Sequence, residues 1–249
     1  MFHLKKLLFG KLSFEQYLRL LQRGYLFAYR TGLLKFSPEY NYHYNVKKLI
    51  NKGDTVIDIG ANLGYYSFLF ARWVGKTGNV YSVEPIKDFN RIFNEVARKY
   101  KQLTLYPYAL GNKEKTIRMV SSPHAGYFRT GLPHVYDAKK DGALENAEFT
   151  FEAEMKIPSK LFSSLDRIDY IKCDVEGFEF SILSDMRDII AKHKPAVQVE
   201  VWKENTANIL SLFHNLGYKA YKFDRNKLVS TDLSKIGGDY IFLYQEKLS

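Results

Sequence analysis

Thr55-Val-Ile-Asp-Ile-Gly60-Ala-Asn-Leu-Gly64-Tyr-Tyr66 is the stretch on which the fold turns. Its first five residues are largely β-branched and read as a buried parallel strand. Gly60 and Gly64 bound a tight turn, and residues 65–74 read as a helix. Gly60 lets the backbone bend sharply and approach a ligand. Gly64 permits close entry into a helix whose free N–H groups favour an electron-rich group. The pattern repeats downstream. Asn79-Val-Tyr-Ser-Val83 is a second strand ending at Glu84, and Pro85 stands at a helix start. Phe89, Ile92, Phe93 and Val96 give that helix an apolar stripe. Leu103 to Ala109 is a third strand. Strand, helix, strand in short succession predicts a Rossmann-like α/β fold. Its sheet is doubly wound and mostly parallel, with right-handed crossovers.

Working outward, Asp169–Asp174 reads as a fourth strand followed by a helix over about 177–191. Ala196–Val201 is a fifth, followed by a helix over about 204–216. Tyr218–Phe223 and Asp239–Tyr244 form a terminal pair that adds a C-terminal antiparallel strand. In the middle, Lys115–Val120 and Phe149–Ile157 alternate like exposed strands and pair antiparallel. Between them an inserted loop, 121–148, shows no periodicity; a loop that long in a compact domain is functional or mobile. Ahead of the first strand, Leu4, Leu7, Leu8, Phe14, Tyr17, Leu18 and Leu21 recur at helical spacing. Ser13 with Gln16 resembles a capping box, and a further helix is expected over 45–52. The expected organisation is a basic helical extension, 1–50, and an α/β domain, 51–249.

The bulk numbers bound the possibilities. At 249 residues the chain suits one α/β domain. The net charge is +10, and the first 50 residues hold nine Lys or Arg against Glu15 and Glu39. Such a segment suits an anionic membrane or a charged glycan carrier, or is simply a solvated helix face. Nothing beyond charge points to nucleic acid. Cys173 is the single cysteine, which excludes an internal disulfide. No apolar run reaches the roughly 18 residues of a membrane span. The N-terminal apolar run is broken at Lys11 before a signal sequence forms. A cytoplasmic location is expected, with peripheral membrane contact left open.

The turn after the first strand, followed about twenty residues later by an acid at the end of the second, marks an adenosine-type cofactor. Glu84 can take both ribose hydroxyls. A dinucleotide fold wants a glycine where Asn62 stands, to admit a pyrophosphate. Asn62 therefore favours S-adenosylmethionine, and a nicotinamide-dependent oxidoreductase is the alternative. Asp58, Gly60, Asn62, Gly64 and Glu84 are the candidate cofactor residues. Lys172, Asp174 and Glu176 are the candidate catalytic residues. Lys172 and Asp174 share one strand face, and a buried Lys needs a carboxylate, either Asp58 or Asp174. If a hydroxyl is methylated, its proton needs an acceptor; Asp174 is the first choice and Glu176 the second. Acids at strand ends, Glu200 among them, could instead hold Mg²⁺ or Ca²⁺, although no ligand spacing is diagnostic. Glu179 reads as a helix cap, Cys173 as a core residue, and His124 and His134 as loop residues able to supply a base.

Five segments now stand in order: Asp58-Ile-Gly-Ala-Asn-Leu-Gly-Tyr-Tyr66, Val83-Glu-Pro85, Ala109-Leu-Gly111, Ile171-Lys-Cys-Asp-Val-Glu-Gly-Phe-Glu179 and Val199-Glu200. Together they resemble the FkbM-type methyltransferases over roughly residues 50–245. The resemblance implies a class I methyltransferase fold and an S-adenosylmethionine cofactor lined by Gly60, Asn62, Gly64 and Glu84. It also implies O-methylation of a sugar, glycan or related small-molecule acceptor. Two departures are visible, the first being that the basic N-terminal 50 residues lie outside the resemblance. In the second, the family's Thr-Leu-Asp lies well before the fourth strand, whereas here Ser164-Leu-Asp166 lies a few residues before it and Ser159-Lys-Leu161 lacks the Asp.

Overall fold

The computed structural model describes residues 2–121, 126–231 and 237–245, with side chains from Lys5 onward. Helices α1 (Phe2–Lys11), α2 (Phe14–Thr31) and α3 (Asn41–Asn45) come first. Ser13 and Gln16 make a reciprocal capping box, and Gly32, left-handed, closes α2. The helix expected over 45–52 is instead α3 plus a 3-10 turn at Val46–Leu49. Ile50 is extended, and the next N–H, of Asn51, is taken by the Asp54 carboxylate at 2.7 Å.

The α/β alternation follows: β1 (Thr55–Ile59), α4 (Ser67–Val74), β2 (Asn79–Val83), α5 (Lys87–Ala97) and β3 (Leu103–Tyr106). β3 ends three residues before its expected end. Pro107 has no N–H to continue a ladder, and Ala109–Leu110 becomes β4 of a second sheet. That sheet adds β5 (Lys115–Ser121), β6 (His134–Val135) and β7 (Phe149–Lys156), in the order β4-β7-β5-β6. β5 and β7 are antiparallel, as expected. The inserted segment carries a short helix, α6 (Ala138–Asp141). Then come α7 (Pro158–Leu161), β8 (Tyr170–Cys173), α8 (Glu179–Asp185), α9 (Arg187–His193), β9 (Ala196–Val201) and α10 (Thr206–Asn215). Last are β10 (Tyr218–Asp224), β11 (Lys227–Ser230) and β12 (Gly238–Tyr244).

The main sheet runs β11-β10-β12-β9-β8-β1-β2-β3. β3, β2, β1, β8 and β9 are mutually parallel, and β12 runs antiparallel between β9 and β10. This is the expected Rossmann-like, mostly parallel sheet with a reversed C-terminal strand. β11 was not foreseen: its two-residue turn, Arg225-Asn226, lacks glycine, and Arg225 itself adopts φ 51°.

Side chains alternate along β1 and β8. Ile57, Ile59, Ile171 and Cys173 pack under α8, α9 and α10 with Ile182, Met186, Ile190 and Phe213. Val56 and Tyr170 face Phe70 and Val74 of α4 on the other side. Asp58 and Lys172 belong to this second face and stand opposite each other in register. Ser82 flanks Asp58, and Gln198 flanks Lys172. One row of buried polar side chains thus crosses four strands near their carboxyl ends.

Candidate functional site

Beyond the carboxyl ends of β1, β2, β8 and β9 lies a cavity of about 810 Å³. Asp58, Gly60, Asn62, Glu84, Lys172, Asp174 and Glu176 all line it. Gly64 does not. It sits beneath the turn, where an added Cβ would lie 2.5 Å from the Phe68 ring.

The turn is built more tightly than its sequence suggests. Gly60 adopts φ 79°, and a Cβ there would lie 1.8 Å from the Asp174 carbonyl oxygen. Gly60 N and Ala61 N both donate to Val83 O at 3.0 Å. Asn62 N donates to Glu84 Oε2 at 2.9 Å, Leu63 N to Asn62 Oδ1 at 2.8 Å, and Gly64 N to Ala61 O at 2.8 Å. Every N–H from Gly60 to Gly64 is therefore engaged, and α4 begins only at Ser67. Within the Gly60–Gly64 turn itself a pyrophosphate would find no free donor, which weighs against the dinucleotide alternative.

Glu84 faces the cavity with each carboxylate oxygen accepting one backbone N–H, from Asn62 and from Ile86 at 2.9 Å. Burial pushes its carboxyl up to about 7, against those two hydrogen bonds. Asp58 is fully buried; its Oδ2 accepts from Ser67 Oγ at 2.6 Å, while Oδ1 has no hydrogen-bond partner. Lys172 Nζ lies 3.8 Å from Asp58 Oδ1 and 3.0 Å from Asp174 Oδ2. Both carboxylates considered for Lys172 thus serve it. Burial opposes the ammonium charge, yet Asp174 and Asp58 outweigh it and hold Lys172 above its ordinary range.

Asp174, Glu176 and Glu200 converge, with one ligand atom of each within 4.8 Å of the others. Among the described residues this is the group whose spacing could hold a metal ion. Burial, with the neighbouring Glu200 and Asp174, pushes Glu176 up to about 8. Burial, then Asp174, pushes Glu200 up to about 7. Glu176 takes φ 56°, a left-handed conformation uncommon outside glycine. Glu179, fully buried, accepts from Val175 N at 2.9 Å and Gly177 N at 3.1 Å, so it braces the Asp174–Glu176 loop.

Two further walls complete the cavity, and the first of them escaped the sequence reading. The N-terminal helices form one. Gln22 Nε2, buried, donates to Leu63 O at 2.8 Å and Ile92 O at 3.1 Å, which pins α2 to the turn. Tyr25, Tyr40 and His43 line the cavity from this side. The His43 ring stacks on Tyr66 with centroids 4.0 Å apart, and its Nδ1 is buried with no hydrogen-bond partner. Burial and the Lys172 charge hold His43 down to about 3, so it is neutral. The Tyr-rich stretch 40–44 was its only trace in the sequence. The inserted segment forms the other wall. Asn62 Nδ2 donates to Thr130 O at 2.7 Å, and Tyr17 Oη to Phe128 O at 3.0 Å. His134 does not line the cavity; its ring pairs with Asp141 of α6 at 2.8 Å. His124 lies outside the described residues.

A sequence profile described as the methyltransferase FkbM domain matches residues 58–220. The chain belongs to this family. Its sheet and crossovers are similar to those of the FkbM methyltransferase of Methylobacillus flagellatus, at 18% identity and a TM-score of 0.52. The match covers 82% of this chain and 48% of that one, so the chain spans about half that protein's length. More distant similarity extends to a putative rRNA-methylase from Clostridium thermocellum (10% identity, TM-score 0.47, covering 81% and 92% of the two chains). It extends also to a SAM-dependent O-methyltransferase from Thermotoga maritima (13% identity, TM-score 0.46, covering 83% and 65%). Against curated proteins the chain has no sequence match.

The matched family is one of methyltransferase domains, and S-adenosylmethionine, if bound here, would bring a sulfonium cation into this cavity. The residues present fit that cation. Asp58 Oδ1 accepts no hydrogen bond, Gly60 leaves the space a side chain would fill, and Asp174, Glu176 and Glu200 crowd together beside the ammonium of Lys172. A pH dependence follows. Glu84, Glu176, Glu200 and Asp239 all have folded values above the usual carboxylate range. Their contribution to stability is complete below the unfolded values near pH ~4 and is lost as pH rises through the folded values. The Tm of the cofactor-free protein should therefore fall between about pH 5.5 and about pH 8.5, and fall less in Glu176→Gln. A flat or rising calorimetric profile would contradict the assignment.

Proposed function

We propose that the protein transfers the methyl group to a hydroxyl of a ring-bearing small molecule, a sugar or related metabolite. S-adenosylmethionine supplies, when bound, an electrophilic methyl carbon on a positively charged sulfur. The chain's own residues must then hold an acceptor oxygen in line and take its proton. Asp174 suits that task. It lies at the end of β8 beside the Gly60 turn, is paired with Lys172, and shares its hydrogen-bonding environment with Glu200. Asn62, Gly60 and Glu84 are the residues we assign to the nucleoside, and Asp58 and the acid cluster to its positive charge.

The observation that carries the reading is the meeting of these strand-end acids with aromatic walls in one cavity. Tyr25, Tyr40, Tyr65, Tyr66 and Trp202 line it, and such faces suit the C–H surfaces of a ring acceptor. The test uses donor carrying a ¹³C methyl and an acceptor panel, with NMR identifying the atom methylated. A methyl ether is expected; a methylamine or thioether product overturns the reading. In the same assay Asp174→Asn should retain donor binding within a few-fold and lose about 10²–10⁴ in kcat.

His43 faces the same compartment with a nitrogen that nothing in the fold satisfies. Its role, in this reading, is one hydrogen bond to the acceptor. His43→Phe keeps the stack on Tyr66 and removes both nitrogens. The acceptor KM should rise roughly 5–20-fold, the worth of one such bond, with donor affinity unchanged. Steady-state kinetics decides it; an unchanged KM would place His43 outside the acceptor site.

A further inference from the structure

The outer surface of the N-terminal helices carries large apolar side chains that the fold does not use. Leu7 is 53% exposed, Phe27 65%, Leu33 58% and Phe36 88%. Lys6, Lys11, Arg23, Arg30 and Lys35 of the same segment are exposed too, Arg23 lying 3.6 Å from Glu95. Residues 1–36 contain a single acid, Glu15, and it is engaged by Arg19 at 2.6 Å and Arg91 at 3.3 Å. The surface is therefore apolar and strongly cationic at once.

It is also continuous with the cavity. Leu20, Gly24 and Phe27 fall at i, i+4 and i+7 on α2, hence on one face of that helix. Leu20 and Gly24 line the cavity, and Leu20 is itself 42% exposed. A Cβ placed on Gly24 would meet nothing, so the space beside it is open. Trp202, which also lines the cavity, is 44% exposed. The helix face that forms part of the mouth thus continues along α2 to the exposed Phe27.

We propose that this face docks the protein on an anionic lipid bilayer, with the cavity mouth turned toward the membrane. Apolar side chains ringed by Lys and Arg are what an interfacial helix presents to acidic headgroups and the upper acyl region. Two other occupants fit less well. A second copy would bring two positive faces together. A polyanion such as RNA would meet the charge but offer no apolar phase for Phe27, Leu33 and Phe36. Among the described residues no helix is long and apolar enough to cross a membrane, so the contact lies in the plane of the interface. The docking does not depend on which atom the enzyme methylates.

The test is vesicle cosedimentation of the full chain, without donor or acceptor, on neutral phosphatidylcholine and on vesicles with about 30% phosphatidylglycerol. Partitioning should be at least about tenfold stronger on the anionic vesicles and weaken as salt is raised. The double variant Phe27→Ser, Phe36→Ser touches neither cavity nor core and should lower it about tenfold. Orientation is read in a Trp73→Phe background with brominated lipid, where Trp202 fluorescence should be quenched at least about twofold. Absent or charge-independent binding overturns the proposal, as does binding indifferent to the Ser substitutions. An unquenched Trp202 overturns the orientation. A lipid-free dimer abolished by the double variant would give the face to a second copy instead.

Discussion

Gly60→Ala should abolish donor binding and cost the fold about 3 kcal/mol or more. Two penalties act together. The backbone at Gly60 has φ 79°, where an L-residue is strained by roughly 1–2 kcal/mol. The added Cβ would also lie 1.8 Å from the carbonyl oxygen of Asp174. That neighbour is backbone at the end of β8 and cannot rotate away. The strand ends must separate, which moves Asp174 relative to Asp58 and distorts the floor of the cavity. Gly64→Ala provides the internal control. It shares the positive φ, 86°, but its Cβ would meet the buried Phe68 ring at 2.5 Å, a side chain rather than backbone. Denaturant unfolding and isothermal titration with S-adenosylmethionine should rank Gly60→Ala as the more damaging of the two. Donor binding within twofold of wild type in Gly60→Ala would show that the turn does not hold the cofactor.

Lys172→Met should destabilise the cofactor-free protein by about 3–5 kcal/mol, the usual cost of removing one partner from a buried ion pair. Lys172 is 3% exposed and Asp58 0%, so solvent cannot screen the charge left behind. The Asp58 carboxyl is already pushed upward by burial, with the Lys172 charge as its main electrostatic relief. Without Lys172 it must take up a proton or leave the interior. The deficit should therefore be largest near neutral pH and shrink below pH ~5, where Asp58 can be protonated at little cost. Combining Lys172→Met with Asp58→Asn should recover much of the loss, because a neutral pair of similar shape carries no desolvation penalty. Chemical denaturation of the four species at two pH values gives the coupling directly. If the double variant is as unstable as the sum of the singles, Lys172 is not there to balance Asp58.

Asp58 and Lys172 also mark how far a sequence can be read. Periodicity placed both on strands and required an acid near the lysine. It could not choose between Asp58 and Asp174, because that depends on register between strands more than a hundred residues apart. In the folded sheet Asp58 stands opposite Lys172, and Asp174 lies two residues further along the same face, so both are used. The same limit applies to His43. Its segment precedes the first strand and lies outside the family match at 58–220, so no motif points to it. Only the packing of α3 against β10 and of α2 against α5 brings it over Tyr66. The turn itself shows the opposite error. The Gly60–Gly64 spacing announced a cofactor bend, but hydrogen-bond partners for its N–H groups come from Val83, Glu84 and Asn62. Sequence spacing cannot show which donors remain free.

By itself, then, the sequence determined what is local: the alternation of strand and helix, the glycine that must bend after β1, the acids that end β2, β8 and β9, and the family to which that order belongs. Tertiary structure alone decided what is non-local: how closely the converging Asp174, Glu176 and Glu200 approach, that the N-terminal helices and the 126–133 segment wall the cavity, and that Phe27 and Phe36 remain outside. The physical reason is that backbone preference and side-chain period act over a few residues. Charge crowding, burial and the choice of hydrogen-bond partner exist only once distant segments have been packed against one another.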